Sequence, residues 1–238
     1  SDTKFFIANS QRGKKEILSH YRVSPEKIKV IYSAVPPVLP PNHFPESREE
    51  AKPEKIILFV GSGFSRKGLY FLIRALPLMG EESTPRLMVV GRGDLKKAGR
   101  LAERLGVLNK ISFIGPVSDV APYYQQAKVF VLPSIYEPFS NACLEAMAFG
   151  LPLVTTEMNG AAEDIQAGVN GFAVPDPADP VALSTAIRQA LTLDREVVNR
   201  THHQMLTRHT WEKHLAELLK LYQSVSNRHA PPLGAWPH

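Results

Sequence analysis

Short apolar runs alternate with longer helical stretches through the middle of this chain. Lys55–Val60, Arg86–Val90, Lys110–Ile114, Lys128–Leu132 and Leu151–Thr155 read as strands, and KIILFV is apolar enough to be buried. Between and after them lie helical patterns at Gly68–Met79, Leu95–Leu105, Val120–Gln126 and Asn141–Phe149. Gly150 and Pro152 stop the last of these. Strands and helices in strict alternation imply an α/β fold, a mostly parallel sheet with helices on both faces.

The flanks follow other patterns. Phe5–Ala8 is a short strand, Ser10 is placed to cap a helix ending near His20, and Ile28–Tyr32 is another extended run. Six prolines between Pro36 and Pro53 exclude a helix or central strand there, so residues 36–54 read as a surface linker rather than a folding boundary. Ala161–Ile165 and the Gly168-x-Asn170-Gly171 turn lead to an edge strand at Phe172–Val174. Amphipathic helices are expected at Pro180–Leu191, Glu196–Leu206 and Trp211–Ser224, followed by a disordered tail over 228–238.

Composition narrows the class. At 238 residues and 44% hydrophobic content, one well-buried domain is expected over 1–227. A single cysteine, Cys143, excludes an internal disulfide and fits a reducing, cytoplasmic setting; without a nearby histidine it reads as a small buried residue. No apolar run reaches membrane-spanning length. The net charge of +5 admits peripheral contact with an acidic membrane. The cations are scattered among acids, which argues against nucleic acid. His202, His203, His209 and His214 lack the spacing of a metal site and read as a polar helix face.

Two segments carry chemistry. Glu137 and Glu145 stand at a strand exit and two turns into the next helix, a placement that lets both face the crevice where open α/β sheets bind ligands. Carboxylates there suit sugar or ribose hydroxyls, since each accepts two hydrogen bonds from a vicinal diol. The second segment is Gly61-Ser62-Gly63-Phe64-Ser65-Arg66-Lys67-Gly68, a glycine-rich turn from a strand into a helix. Backbone N–H groups and two adjacent cations there suit a diphosphate. A dinucleotide fingerprint fails because Arg66 occupies its third glycine position, and a P-loop fails because Lys67 precedes Gly68 rather than Ser or Thr.

With these motifs in hand, the chain resembles the retaining glycosyltransferases with two Rossmann-like domains, glycosyltransferase family 4. VGSGFSRKGLYFLIRAL, VVGRGD, ISFIGPVSDVAPYYQQAKVFVLPS and EPFSNACLEAMAFGLPLVTT resemble successive family motifs from about Phe5 to about Tyr222. VGSGFSRKG is similar to enzymes that add glucose to a heptose of the lipopolysaccharide inner core. The resemblance implies the Rossmann-like C-terminal half of a GT-B fold, binding a nucleotide sugar, UDP-glucose, and transferring the sugar with retention. It assigns Arg66 and Lys67 to the leaving diphosphate and Glu137 to positive charge on the sugar ring. Glu145 would hold the ribose, and Pro116 and Val117 would bound the base. Gly61, Ser62 and Gly63 would form the donor loop, with Phe139, Ser140 and Asn141 presenting N–H groups to the sugar. No Asp-x-Asp occurs, so no metal or other cofactor is expected. Ser140 departs from the glycine common in relatives. The family's N-terminal acceptor domain is expected as the missing partner of this chain. Another nucleotide, hexose or glycan acceptor fits the same motifs, as does a non-catalytic nucleotide-sugar-binding module.

Overall fold

The computed structural model describes residues 5–35, 55–80 and 85–226. Six strands form the main sheet: β3 (Ile56–Val60), β4 (Arg86–Val90), β5 (Ile111–Gly115), β6 (Val129–Leu132), β7 (Leu153–Thr156) and β8 (Gly171–Val174). β1 (Phe6–Ala8) and β2 (Ile28–Val30) lie apart. The spatial order is β5-β4-β3-β6-β7-β8 and every neighbouring pair is parallel. The chain therefore builds outward from β3 to β5, then returns to the other side of β3 and builds outward again. This reversal opens a crevice beyond the C-terminal ends of β3 and β6. All residues of β6 and β7 are buried, as expected of strands covered on both faces; β6 is wholly apolar, and the two threonines of β7 donate their hydroxyls to Leu132 O and Ser134 O.

The helices are α1 (Gln11–His20), α2 (Phe64–Lys67), α3 (Leu69–Ala75), α4 (Leu95–Arg104), α5 (Ala121–Gln126), α6 (Asn141–Ala148), α7 (Pro180–Ala190), α8 (Arg195–Leu206) and α9 (Trp211–Ser226). Most agree with the sequence pattern to within a residue or two. Gly68–Met79, expected as one helix, is divided. Gly68 adopts φ 82 between α2 and α3, and the last turn tightens into a 3-10 helix, Leu76–Met79, around Pro77. The 160–165 segment is also 3-10, Gly160–Asp164, with Asn159 accepting from Ala161 N–H. Asp94, Asp179 and Asp194 cap α4, α7 and α8.

β1 and β2 pair only with each other, in parallel, outside the main sheet. Polar contacts fasten this opening unit. Ser10 caps α1 by accepting from Gly13 N–H at 2.9 Å and donates to Pro138 O at 2.7 Å. Backbone N–H groups of Gln11 and Arg12, and the Tyr32 hydroxyl, all donate to the Glu163 carboxylate. The Pro-rich linker and the C-terminal tail fall outside the described residues.

The histidines correct the sequence reading. His202 and His209 are buried rather than on a polar face. His209 lies between Ser33 O at 2.9 Å and Asp164 at 2.8 Å, and Arg208 pairs with the other Asp164 oxygen at 3.0 Å. His214 meets Tyr32 O at 2.7 Å, while His203 is exposed. Among the described residues no group of three or more His, Cys, Asp or Glu gathers as a metal site.

His202 makes stability depend on acidity. Its Nε2 donates to Leu151 O at 2.8 Å, and burial pulls its pKa down to about 4. An unfolded imidazole titrates near 6.5, so the unfolded chain takes up the proton first and stability falls as pH drops from about 6.5 to about 4. We expect this residue alone to cost roughly 2 kcal/mol between pH 7 and pH 4.5. Urea unfolding at both pH values should show a shallower loss in His202→Gln, whose amide can still donate to Leu151 O. Equal slopes would show that His202 titrates normally.

Candidate functional site

The switch-point crevice is built from the exits of β3, β4, β6 and β7. Gly61 N–H donates to Val90 O at 2.9 Å and Gly63 N–H to Arg92 O at 2.8 Å, which locks the β3 exit onto the β4 exit. The approach is close: a Cβ on Gly91, at φ 126, would lie 2.1 Å from Gly61 O. Two of the N–H groups that the sequence suggested for an anion are thus already bonded, and Ser62 stands exposed between them. The fixed positive charge of this loop comes from Arg66 and Lys67.

Those cations sit in the last turn of the one-turn helix α2 rather than at the start of a long helix. Arg66 is stitched across the crevice: its carbonyl accepts from Ile135 N–H at 2.9 Å, and its guanidinium donates to Tyr136 O at 3.1 Å. Gly68 permits this. A Cβ there would lie 1.8 Å from Pro133 O. The β3 and β6 exits touch backbone to backbone at that point.

Glu137 closes the arrangement. Its backbone pairs with the β7 exit, N–H to Met158 O at 3.0 Å and carbonyl to Gly160 N–H at 2.9 Å. Its buried carboxylate places Oε2 2.8 Å from Arg66 Nη1, and Lys67 Nζ donates to the same oxygen. The cations differ in environment: the Arg66 side chain is 52% exposed and that of Lys67 13%. A guanidinium carries five N–H donors and an ammonium three, so both retain donors beyond those Glu137 uses.

Glu145 is held separately. Tyr124 on α5 donates its hydroxyl to Glu145 Oε2 at 2.8 Å. Burial pushes the Glu145 carboxyl above the usual range, and the Tyr124 bond pulls against that rise. Among the described residues the two glutamates share no hydrogen-bond partner. Sequence reasoning missed Tyr124, because nothing in the PYYQQ stretch distinguishes it from a core aromatic.

The remaining sequence candidates are distributed around this centre. Phe139 is buried in an aromatic cluster, 6.2 Å from Tyr32 and 5.2 Å from His209 between ring centroids, leaving only its backbone for a ligand. Ser140 precedes α6 without a side-chain cap bond, its hydroxyl facing the Cys143 thiol. Asn141 begins the helix and is exposed. The first N–H groups of α6 therefore lack a capping side chain. Burial pushes Cys143 up to about 12, which makes it inert as a nucleophile. Pro116 and Val117 follow β5, two strands from the switch point.

A cavity of about 860 Å³ opens beside this centre, lined by residues including Arg12, Lys15, Glu16, Tyr32, Asn159 and Glu163. Asn159 bridges to the Glu137 backbone, so the cavity shares a wall with the charged triad. It brings together α1, the β2 exit and the β7 exit, a juxtaposition with no local sequence signal.

A family model described as group 1 glycosyl transferases matches residues 54–193. The chain is 32% identical over 231 residues to an uncharacterized glycosyltransferase of Methanocaldococcus jannaschii, covering 91% of this chain and 59% of that protein. It is 31% identical over 187 residues to the lipopolysaccharide glucosyltransferase WaaG of Escherichia coli, covering 73% of this chain and 49% of WaaG. A crystal structure of WaaG superposes with a TM-score of 0.71 at 27% identity, covering 84% of this chain and 57% of that one. Anabaena HepE in complex with UDP-glucose shares the fold, with a TM-score of 0.74 at 22% identity over 93% of this chain and 64% of HepE. The chain thus spans about half to three fifths of the length of these curated relatives.

The backbone contact at Gly68 yields a stability contrast. Gly68→Ala forces a left-handed conformation, worth about 1–2 kcal/mol, and drives a methyl into Pro133 O, so a loss above about 2 kcal/mol is expected. Gly99→Ala, in α4 with nothing within 4 Å, should be neutral or stabilising by up to about 1 kcal/mol. Chemical denaturation of both variants checks this; similar small effects at both sites would show that the crevice tolerates separation of its walls.

Proposed function

Since the chain belongs to the group 1 glycosyl transferases, we propose that its switch-point crevice binds a nucleoside-diphosphate hexose, UDP-glucose, for transfer of the sugar to a lipopolysaccharide core acceptor. The convergence of Arg66 and Lys67 on Glu137 at the strand reversal carries this reading. Departure of the sugar leaves extra negative charge on the diphosphate, and cations already fixed nearby stabilise it without reorganising. Glu137 holds both cations in place while its backbone stays pinned to the β7 exit. It also puts a carboxylate near the hexose, where positive charge grows on the ring.

In this reading the uncapped first turn of α6 adds backbone donors and its dipole to the diphosphate. Glu145 takes the ribose hydroxyls, and the Pro116–Val117 backbone bounds the base. No metal enters, because Arg66 and Lys67 supply the charge a bridging cation would otherwise provide and the sequence has no Asp-x-Asp. Similarity to WaaG supports glucose and the lipopolysaccharide acceptor, and the UDP-glucose complex of HepE supports the donor. Among the described residues no helix is long and apolar enough to cross a membrane; the +5 net charge supports peripheral contact with an acidic one.

Calorimetric titration with UDP tests the reading. Binding should be insensitive to EDTA; affinity that appears only with added magnesium or manganese would sink the metal-free account. Lys67→Ala should weaken UDP by about tenfold or more, the scale of one charge-assisted hydrogen bond. Arg66→Ala should cost less, because its more exposed charge is better screened by water. Unchanged affinity in both variants would remove the loop from the donor site.

Glu145→Gln should weaken UDP while leaving the much weaker binding of uracil unchanged, since a free base has no diol for the carboxylate to hold. Equal losses for the two ligands would place Glu145 in the fold rather than on the ribose.

A further inference from the structure

Tyr124 is fully buried, and its ring is fixed on two sides. It stacks on Phe149 with centroids 5.2 Å apart and planes within 9°, and it tilts against Phe130 at 5.7 Å. A ring so placed delivers its hydroxyl to one point. Two acceptors lie there, Glu145 Oε2 at 2.8 Å and Ala142 O at 3.2 Å. The hydroxyl has one proton, and an ionised carboxylate is the stronger acceptor. Packing alone needs no such bond: a phenylalanine would fill the same space, and Ala142 O already accepts within its helix.

We propose that Tyr124 is a positioning residue that fixes the Glu145 carboxylate for a ribose diol, so that the site selects ribonucleotide over 2′-deoxyribonucleotide donors. The proposal rests on the reading of Glu145 as the ribose ligand. An ionised carboxylate offers about four lone-pair positions across its two oxygens. Tyr124 takes one on Oε2 and leaves Oε1 whole, enough for two ribose hydroxyls. It also decides which rotamer Glu145 keeps. Without the hydroxyl, Glu145 loses its one side-chain hydrogen-bond donor among the described residues. A half-buried carboxylate without that donor is less ionised and free to turn, and a diol gains from neither. Burial already opposes ionisation of Glu145, and the Tyr124 bond offsets part of that opposition.

The test compares UDP, 2′-deoxy-UDP and inorganic pyrophosphate by titration against the unmodified chain, Tyr124→Phe and Glu145→Gln. The unmodified chain should prefer UDP to 2′-deoxy-UDP by about tenfold, the scale of a hydrogen bond to a charged group. Tyr124→Phe should cut that preference to threefold or less while pyrophosphate affinity stays the same, because the diphosphate side of the site is untouched. Glu145→Gln should abolish the preference. If Tyr124→Phe keeps the full preference and Glu145→Gln loses it, Tyr124 only packs and the proposal fails while the donor reading stands. If Tyr124→Phe weakens all three ligands alike, its role is structural and the proposal also fails. If Glu145→Gln keeps the preference, or the unmodified chain shows none, Glu145 is not the ribose ligand and both ideas fall together.

Discussion

One carboxylate oxygen shared by two cations holds the centre of this molecule together. Arg66 and Lys67 arrive from the β3 exit, Glu137 from the β6 exit, and all three meet over the point where the strand order reverses. Taking such charges partly out of water is costly, and their mutual attraction offsets that cost only when all are present. Without Glu137, two like charges would stand side by side on α2 with no carboxylate between them. The triad is therefore a constraint on the loops as much as a source of field. It requires α2 to end where it does, which requires Gly68 to turn left-handed, and that in turn allows the β6 exit to approach within backbone contact.

A net single positive charge remains after the triad is counted, on side chains with donors to spare. An arriving diphosphate need not break the Glu137 contacts to be held. The unequal exposure of the two cations separates their roles: Lys67 is confined beside the carboxylate, while Arg66 has room to turn outward. The same division of labour recurs at the second glutamate, where Tyr124 fixes one oxygen and leaves the other unengaged by it. Both acids are thus oriented by partners from a neighbouring element.

The strands were legible because a sheet covered on both faces demands unbroken apolar runs, as in Val129–Leu132 and KIILFV. The acidic pair and the glycine-rich turn were legible as residue types at a spacing. What the spacing could not show was which hydrogen bonds were already taken. The N–H groups of Gly61 and Gly63 looked available to an anion, yet they serve to bind β3 to β4. Gly68 looked like part of a phosphate loop, yet its positive φ ends α2, and its need to lack a side chain comes from Pro133, far along the chain. His202 and His209 looked like a polar face because their partners, Leu151, Asn170, Ser33 and Asp164, lie at long sequence distances. Tyr124 was invisible for the same reason.

The opening β1-α1-β2 unit meets the centre at a crowded junction. Ser10 donates to Pro138 O, the residue next to Glu137. Gly160, whose N–H donates to Glu137 O, lies so close that a Cβ on it would sit 2.0 Å from Pro138 O and 2.8 Å from the Ser10 side chain. Three segments thus meet where none has room to move independently: the start of α1, the Glu137 loop and the β7 exit. Packed contacts of this kind transmit displacement rather than absorb it. The opening unit is also fastened by polar bonds to Glu163 and His209 and by the packing of Tyr32 on Phe139. A shift of α1 along the main sheet would therefore be felt at Pro138. The charged triad is thus bonded to the β7 exit through the Glu137 backbone and, through Pro138 and Gly160, stands in direct contact with the unit beside it.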